Sequence, residues 1–329
     1  MLALLFLVIV SVGSFFLGSL GVYLYDEKVP LYFIPLILFS FIILIHVVIF
    51  SYIFAIAWFA RSHRPEDMRI QFKETLRLVF GEISFSMVLY LFLTPLAAFQ
   101  WLKEHLQSNK GSHDDVPVLL VHGFFCNSAF WVPMKRYLSK RGFTRTYSVT
   151  LDPPLFGDIE KFSNKLAKRV EQICSETKTE KVVIVAHSMG GLVSRNYIYN
   201  RGGDKRVEKL ITLGTPHHGT TIADTVFFLG RHLRQMKRWS NKWLANLNLH
   251  EGQTALVPTV SIFSYHDSIV SPQDSPILKH ARNIPLRGVG HLEMPVSKVV
   301  QELVYEELVP AIHKRTEIGE DVSQLCQGS

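Results

Sequence analysis

Two long stretches near the start of the chain carry no charged side chain: Leu2 to Leu24, and the thirty residues from Leu31 to Ala60. About 20 apolar residues suffice to cross a bilayer as a helix. Both stretches therefore predict membrane spans, over 2–24 and 31–60. The first lacks the basic leader and short apolar core of a cleaved signal, and a second span follows at once. Tyr25 to Pro30 between them is long enough only for a turn. A third run, Ile83 to Trp101, is 19 uncharged residues with Pro95 inside it, which a membrane helix tolerates. It predicts a third span over 83–101. Residues 1–105 read as a membrane anchor, and residues 106–115, small and polar (QSNKGSHDD), as a linker.

Charge divides the chain the same way. Residues 1–102 contain six basic and six acidic side chains, so the net charge of +7 belongs to residues 103–329. With 48% hydrophobic and 19% charged residues, the chain is not a disordered one. Cys126, Cys174 and Cys326 form no C-x-x-C pair, so neither a disulfide framework nor structural zinc is expected. The stretch Arg61 to Arg77 holds five basic residues against one in the turn, and the positive-inside tendency places it in the cytoplasm. If 83–101 crosses the bilayer, everything after it lies on the opposite side. If it lies in the interface, the rest is cytoplasmic.

From residue 116 the pattern changes. Val116–Val121, Thr144–Leu151, Lys181–Ala186, Val207–Leu213, Val257–Ser264 and Ile284–Val289 read as strands. Ser128–Arg141 (with Ser128 as cap), Ile159–Thr177, Met189–Asn200 and Pro295–His313 read as helices. This alternation predicts an α/β fold with a mainly parallel sheet covered on both faces. Chemistry in such sheets sits beyond the carboxyl ends of the strands.

Three strand ends carry it. After KVVIVA comes His187-Ser188-Met189-Gly190-Gly191. A serine in a sharp strand-to-helix turn projects its hydroxyl above the sheet, and Gly190 supplies the small residue needed where helix and strand nearly touch. Ala186 stands where that pattern has its leading glycine. After VPVLLV comes His122-Gly123-Phe124, a bend that can aim a backbone N–H inward. The amides of Phe124 and Met189 are the candidate oxyanion donors, and His122 shapes the turn. A serine nucleophile needs a base, and the base needs an orienting acid, here in the order Ser, acid, His. Asp267 follows one strand and His291 the next. Asp274, His280 and His266 are rivals that follow a strand less directly.

The segments VHGF, AHSMGG, LGTPHHGTTIAD, SYHDSIVSP and GVGHLEM resemble the blocks of α/β-hydrolases, and more narrowly those of bacterial triacylglycerol lipases and related esterases. The resemblance covers roughly residues 116–313 and does not reach the first 110. It implies an α/β-hydrolase domain over 116–315, followed by a tail at 316–329. It further implies a catalytic Ser188, Asp267 and His291, with Phe124 and Met189 in the oxyanion hole and His122, Gly123, His187 and Gly190 in support. It implies no organic cofactor. Some members hold a structural calcium, whose ligands are not matched here, so no metal is carried over. Most such lipases are secreted, so a multi-span anchor departs from the family pattern. With the third span crossing, the expectation is an integral protein of a bacterial inner membrane with its catalytic part in the periplasm.

Between the strands at 207–213 and 257–264 lie about 43 residues, expected to form a lid over 222–256. Phe227, Phe228, Trp239 and Trp243 interleave there with Arg231, Arg234, Lys237, Arg238 and Lys242. That composition suits a helix lying at a lipid interface; a helix whose apolar face packs on the core is the alternative, and a nucleic-acid surface fits least. The expected activity is cleavage of carboxylic esters of lipid or acyl type through an acyl-enzyme. An acyltransferase, thioesterase or phospholipase would use the same triad, and an inactive membrane scaffold is the rival from another class.

Overall fold

The computed structural model describes residues 18–94, 116–153, 157–226, 230–252 and 255–309. The start of the first expected span, the linker at 106–115 and the tail at 316–329 lie outside them. Residues 18–26 (α1) are helical, and a turn leads into α2, Phe33–Phe59. At 27 residues α2 is roughly 40 Å long, more than the hydrocarbon core needs. Only Ile34, Phe50 and Ala57 of α2 are buried, while Phe39, Leu44, Val48 and Trp58 are exposed. His46 bonds its own helix, with Nδ1 2.9 Å from the Ile42 carbonyl.

The next helix differs from expectation. Helix α3 runs Phe72–Val88 and continues through a π-helical turn over Leu89–Leu93. It begins eleven residues before the apolar run does, because Gln71 and Glu74 form a capping box that closes its first turn. The described part of the run expected to span, residues 83–94, packs on the following domain. Leu89 is fully buried, Phe85 meets Phe130 edge-on at 6.4 Å, and Asn127 donates to the Thr94 carbonyl. Residues 95–101 lie outside the described residues.

The domain from residue 116 is built on a six-stranded sheet. The strands are β1 Val118–Val121, β2 Thr146–Val149, β3 Val182–His187, β4 Val207–Leu213, β5 Thr259–Ser264 and β6 Arg282–Leu286. Their order is β2-β1-β3-β4-β5-β6, and every neighbouring pair is parallel. β1 and β3 are buried throughout, as unbroken apolar runs covered on both faces should be. On one face lie α5 (Ile159–Thr177) and α6 (Met189–Asn200). α5 is capped by Asp158 and presents Ile159, Phe162, Leu166, Val170 and Ile173 to the sheet at helical spacing. On the other face lie α4 (Val132–Lys140) and α10 (298–309), and the same apolar cluster takes in Phe50 of α2 and Leu89.

Several expected boundaries shift. The first helix of the domain is entered by a 3-10 turn capped by Asn127, whose side chain accepts from the Ala129 N–H, and Ser128 is not the cap. β2 and β5 are shorter than expected, and β6 lies two residues earlier. The final helix starts at 298 rather than 295. The segment between β4 and β5 is not one amphipathic helix but three short ones: α7 Thr221–Val226, α8 Arg231–Gln235 and α9 Lys242–Asn248. Gly230 precedes α8, and Ser240 at φ 53° breaks the path into α9. Phe227 and Phe228 lie outside the described residues.

Candidate active site

Ser188 occupies the turn between β3 and α6 with φ 54° and ψ −128°, a conformation that a residue with a side chain rarely holds. Its N–H donates to the Leu213 carbonyl at 2.9 Å, and its carbonyl accepts from the Gly191 N–H at 3.0 Å. The turn is tight. A Cβ at Gly190 would fall 2.6 Å from the Val121 carbonyl oxygen, and one at Gly123 would fall 2.7 Å from the Ser188 Cβ. The loop after β1 thus lies directly against the serine. Met189 is the first residue of α6, where backbone N–H groups have no partner within the helix.

The two loops at the far strands meet beside this turn, with His291 against His187. Asp267, beyond β5, is buried, and its Oδ2 lies 2.7 Å from His291 Nδ1. Its other oxygen accepts the N–H groups of Ile269 (2.9 Å) and Val270 (2.7 Å), which fix the carboxylate from behind. His291, beyond β6, is also buried. Burial opposes its protonation, yet the charge and hydrogen bond of Asp267, with Glu82 adding, hold it above the ordinary histidine value. An imidazole so poised takes a proton readily and keeps its Nδ1–H on the acid.

The supporting histidines are neutral. His187 donates through Nε2 to the His291 carbonyl at 3.0 Å, and the two rings lie 4.5 Å apart. Burial, then the charge on His291, keeps His187 well below the ordinary value. His122 accepts the Leu151 N–H at Nε2 (2.9 Å) and holds the Gly123 carbonyl at Nδ1 (2.8 Å), tying the loop after β1 to that after β2. Burial brings it down to about 4. The rivals lie apart from this cluster. Asp274 is exposed, His266 accepts the Gly288 N–H at 3.1 Å, and His280 sits beside Tyr199 and the Glu251 carbonyl.

Sequence reasoning missed two groups. Arg195 is almost fully buried on α6, reaching Asn248 Oδ1 at 3.0 Å and His217 Nδ1 at 3.4 Å, so it ties the sheet to the segment between β4 and β5. Glu82, on α3, is fully buried against the His291 loop. Its position at the edge of the apolar run 83–101 is the signal the sequence carries for it. Among the described residues, no group of three or more His, Cys, Asp or Glu side chains could hold a metal ion.

Comparison with known proteins follows this geometry. Residues 116–239 match the family model of the alpha/beta hydrolase fold. Triacylglycerol lipase 2 of Saccharomyces cerevisiae is 34% identical over 155 residues, covering 43% of this chain and 46% of that protein. A triacylglycerol lipase of Pseudarthrobacter phenanthrenivorans is 32% identical over 117 residues, 33% of this chain and 36% of the other. The chain therefore spans less than half the length of these relatives. Among solved structures, the mature Bacillus licheniformis lipase BlEst2 superposes with a TM-score of 0.52 at 18% identity, over 63% of this chain and 95% of that one. Aspergillus fumigatus lipase B gives 0.50 at 21% identity, over 56% and 51%. The part of the chain that begins at residue 116 has the alpha/beta hydrolase fold and is similar in sequence, over part of its length, to triacylglycerol lipases.

Proposed function

We propose that the protein is a membrane-anchored serine hydrolase that cleaves carboxylic esters of lipid or acyl type. The observation that carries this reading is the buried Asp267–His291 bond, with His291 packed against His187, the neighbour of a serine held at positive φ. In this reading Ser188 Oγ attacks the ester carbonyl and passes its proton to His291 Nε2. Asp267 keeps the imidazole oriented and stabilises its charged form. The amides of Phe124 and Met189 hold the oxyanion. His291 then protonates the leaving alcohol, giving an acyl-Ser188. Water, deprotonated by His291, attacks that acyl group, releases the carboxylic acid and restores the serine.

The similarity to triacylglycerol lipases favours lipid esters. So does the outer surface between β4 and β5, an open groove of about 690 Å³ lined by Arg231, Arg234, Lys237, Lys242 and Trp243. Trp239 beside it is 63% exposed. Cations next to exposed indoles suit an interface with anionic headgroups. The length and apolar exposure of α2 support its spanning the bilayer. Contacts at the end of α2 bear on the side of the membrane. The Ser62 N–H donates to Gln273, and Arg64 donates to the Tyr265 carbonyl at 2.8 Å. The hydrolase domain therefore shares a side with the basic stretch 61–77. This favours the cytoplasmic side over the periplasmic one expected from a crossing at 83–101.

Fluorophosphonate labelling tests the chemistry, since the probe reports an activated serine without knowledge of the true substrate. Wild type should label and Ser188→Ala should not. Labelling that survives in Ser188→Ala would remove this reading. A panel of triglycerides, phospholipids, acyl thioesters and acyl acceptors then separates hydrolysis of a neutral ester from the other reactions one triad can run. A topology reporter fused after Lys110 tests the side.

A further inference from the structure

Glu82 is a carboxyl group with no exposure to solvent, on a helix that the sequence presents as part of an anchor. Its Oε1 accepts the Glu293 N–H at 3.1 Å. It also lies so close to Gly290 that any Cβ there would overlap it. Its contacts thus bracket residue 291. Across the same contact, the Glu293 carboxyl lies against Gly81, where a Cβ would overlap it in turn. The helix and the histidine loop are locked to each other by two glutamates, each seated on the other's glycine. One end of the loop is held further along α3, where Arg287 pairs with Glu74 at 2.8 Å.

We propose that Glu82 is a positioning residue for the hydrolytic reaction: α3 reaches under the loop 290–293 and fixes the backbone that carries His291. This rests on the reading of Ser188, Asp267 and His291 as a working triad. The buried, hydrogen-bonded geometry is what such a role demands, since a solvent-facing carboxyl would exchange its partner for water. A displacement of the base by about 1 Å is enough to cost on the order of 100-fold in rate. Burial pushes the Glu82 carboxyl up to about 8, so below that pH it is a neutral acceptor, a role a glutamine side chain can fill. The titratable groups around it are His291 and Asp267 in front, Glu293 alongside, Arg77 near Glu293, Tyr90 further along the same helix, and His187 on the far side of His291.

The test uses the full-length protein in detergent. The fluorophosphonate labelling rate is measured against pH, and steady-state hydrolysis of p-nitrophenyl butyrate at the plateau. For Glu82→Leu the plateau kcat should fall by about 10- to 100-fold with KM unchanged. The acid limb of the labelling profile should move to lower pH by about half a unit, because a loosened His291 loses part of its hold on Asp267. Glu82→Gln should restore kcat to within about threefold of wild type, and most of the midpoint. Should Glu82→Leu not fold, Gly290→Ala takes its place, since the added methyl drives the carboxyl off the loop while leaving it in the protein. A folded Glu82→Leu or Gly290→Ala protein with the wild-type plateau and midpoint overturns the proposal. So does failure of Glu82→Gln to rescue. Ser188→Ala run in parallel separates the two failures: if it still labels, the triad reading is wrong, and if it is silent, only the role of Glu82 is in question.

Discussion

Helices α2 and α3 both have the length and apolarity to cross a membrane, yet they differ in what they bury. α2 turns apolar side chains outward on almost every side and buries only three. α3 buries Leu78, Glu82, Ser86 and, in its π-helical extension, Leu89 against protein. The lesson is that hydropathy identifies what a helix cannot leave in water, not which partner takes it. One polar residue separates them: Glu82, fully buried, accepts the Glu293 N–H, a partner that lipid cannot offer.

That contrast can be broken most severely at the triad, which sets the scale for everything else. Asp267→Asn should lower kcat by about 10⁴-fold, because the amide leaves His291 in the wrong tautomer. Little change would mean the His291–Asp267 bond has no part in catalysis. Next comes removal of the helices themselves. Deleting residues 1–59 should detach the protein from vesicles while keeping Ser188 labelling within about fivefold, whereas deleting residues 1–94 should cost about 100-fold or more. Equal labelling of the two truncations would show that α3 is as dispensable to the chemistry as α2. A matched pair of leucines sharpens the point in stability. Leu89→Ala, which empties a fully buried site, should cost about 2–5 kcal/mol in denaturant unfolding. Leu44→Ala on the exposed face of α2 should change stability by no more than about 0.5 kcal/mol.

The smallest effect is in pH. Glu82 binds its proton more tightly in the folded protein than a free carboxyl does, so its contribution to stability is greatest at low pH. That contribution is lost as pH rises from the unfolded value, near 4.5, through about 8. Glu82→Gln should flatten the decline in Tm across that window. His122 and His266 act with the opposite sense. Both are brought down to about 4 by burial, so their contribution is full above the ordinary histidine value and fades as pH falls through 4. A Tm that stays constant between pH 6.5 and 4 would contradict the buried, neutral state of these two rings.

The candidate site was legible in outline because Ser188, His122 and Asp267 each lie within three residues of the end of an apolar strand, whereas His291 lies five beyond β6. KVVIVA announces β3, which runs one residue further to His187, and Ser188 makes the turn. His122 after β1 and Asp267 after β5 are likewise read from the strands before them. What was not legible depends on contacts between distant segments. Nothing near Glu82 in sequence names the loop 290–293 that buries it, and Arg195 is read only once Asn248 and His217 are seen around it. The segment between β4 and β5 kept its helical composition but lost its continuity at Gly230 and Ser240, where the chain turns to bring Leu233, Met236, Leu244 and Leu247 into the core. The start of α3 was hidden for a different reason: the Gln71–Glu74 capping box sits among charges, and the apolar run begins well downstream of it.

The joint between the two helices, residues 60–71, has a consequence for processing. It lies between the part of the chain that faces outward and the part that completes the active centre. If α2 anchors the protein and Glu82 positions His291 as proposed, a protease cutting there would shed a diffusible form with α3 still seated and its histidine loop still held. A cut on the far side of α3 would release a domain of the same fold with that loop unsupported. The two products, separated by little more than the length of a single helix, would then differ in activity.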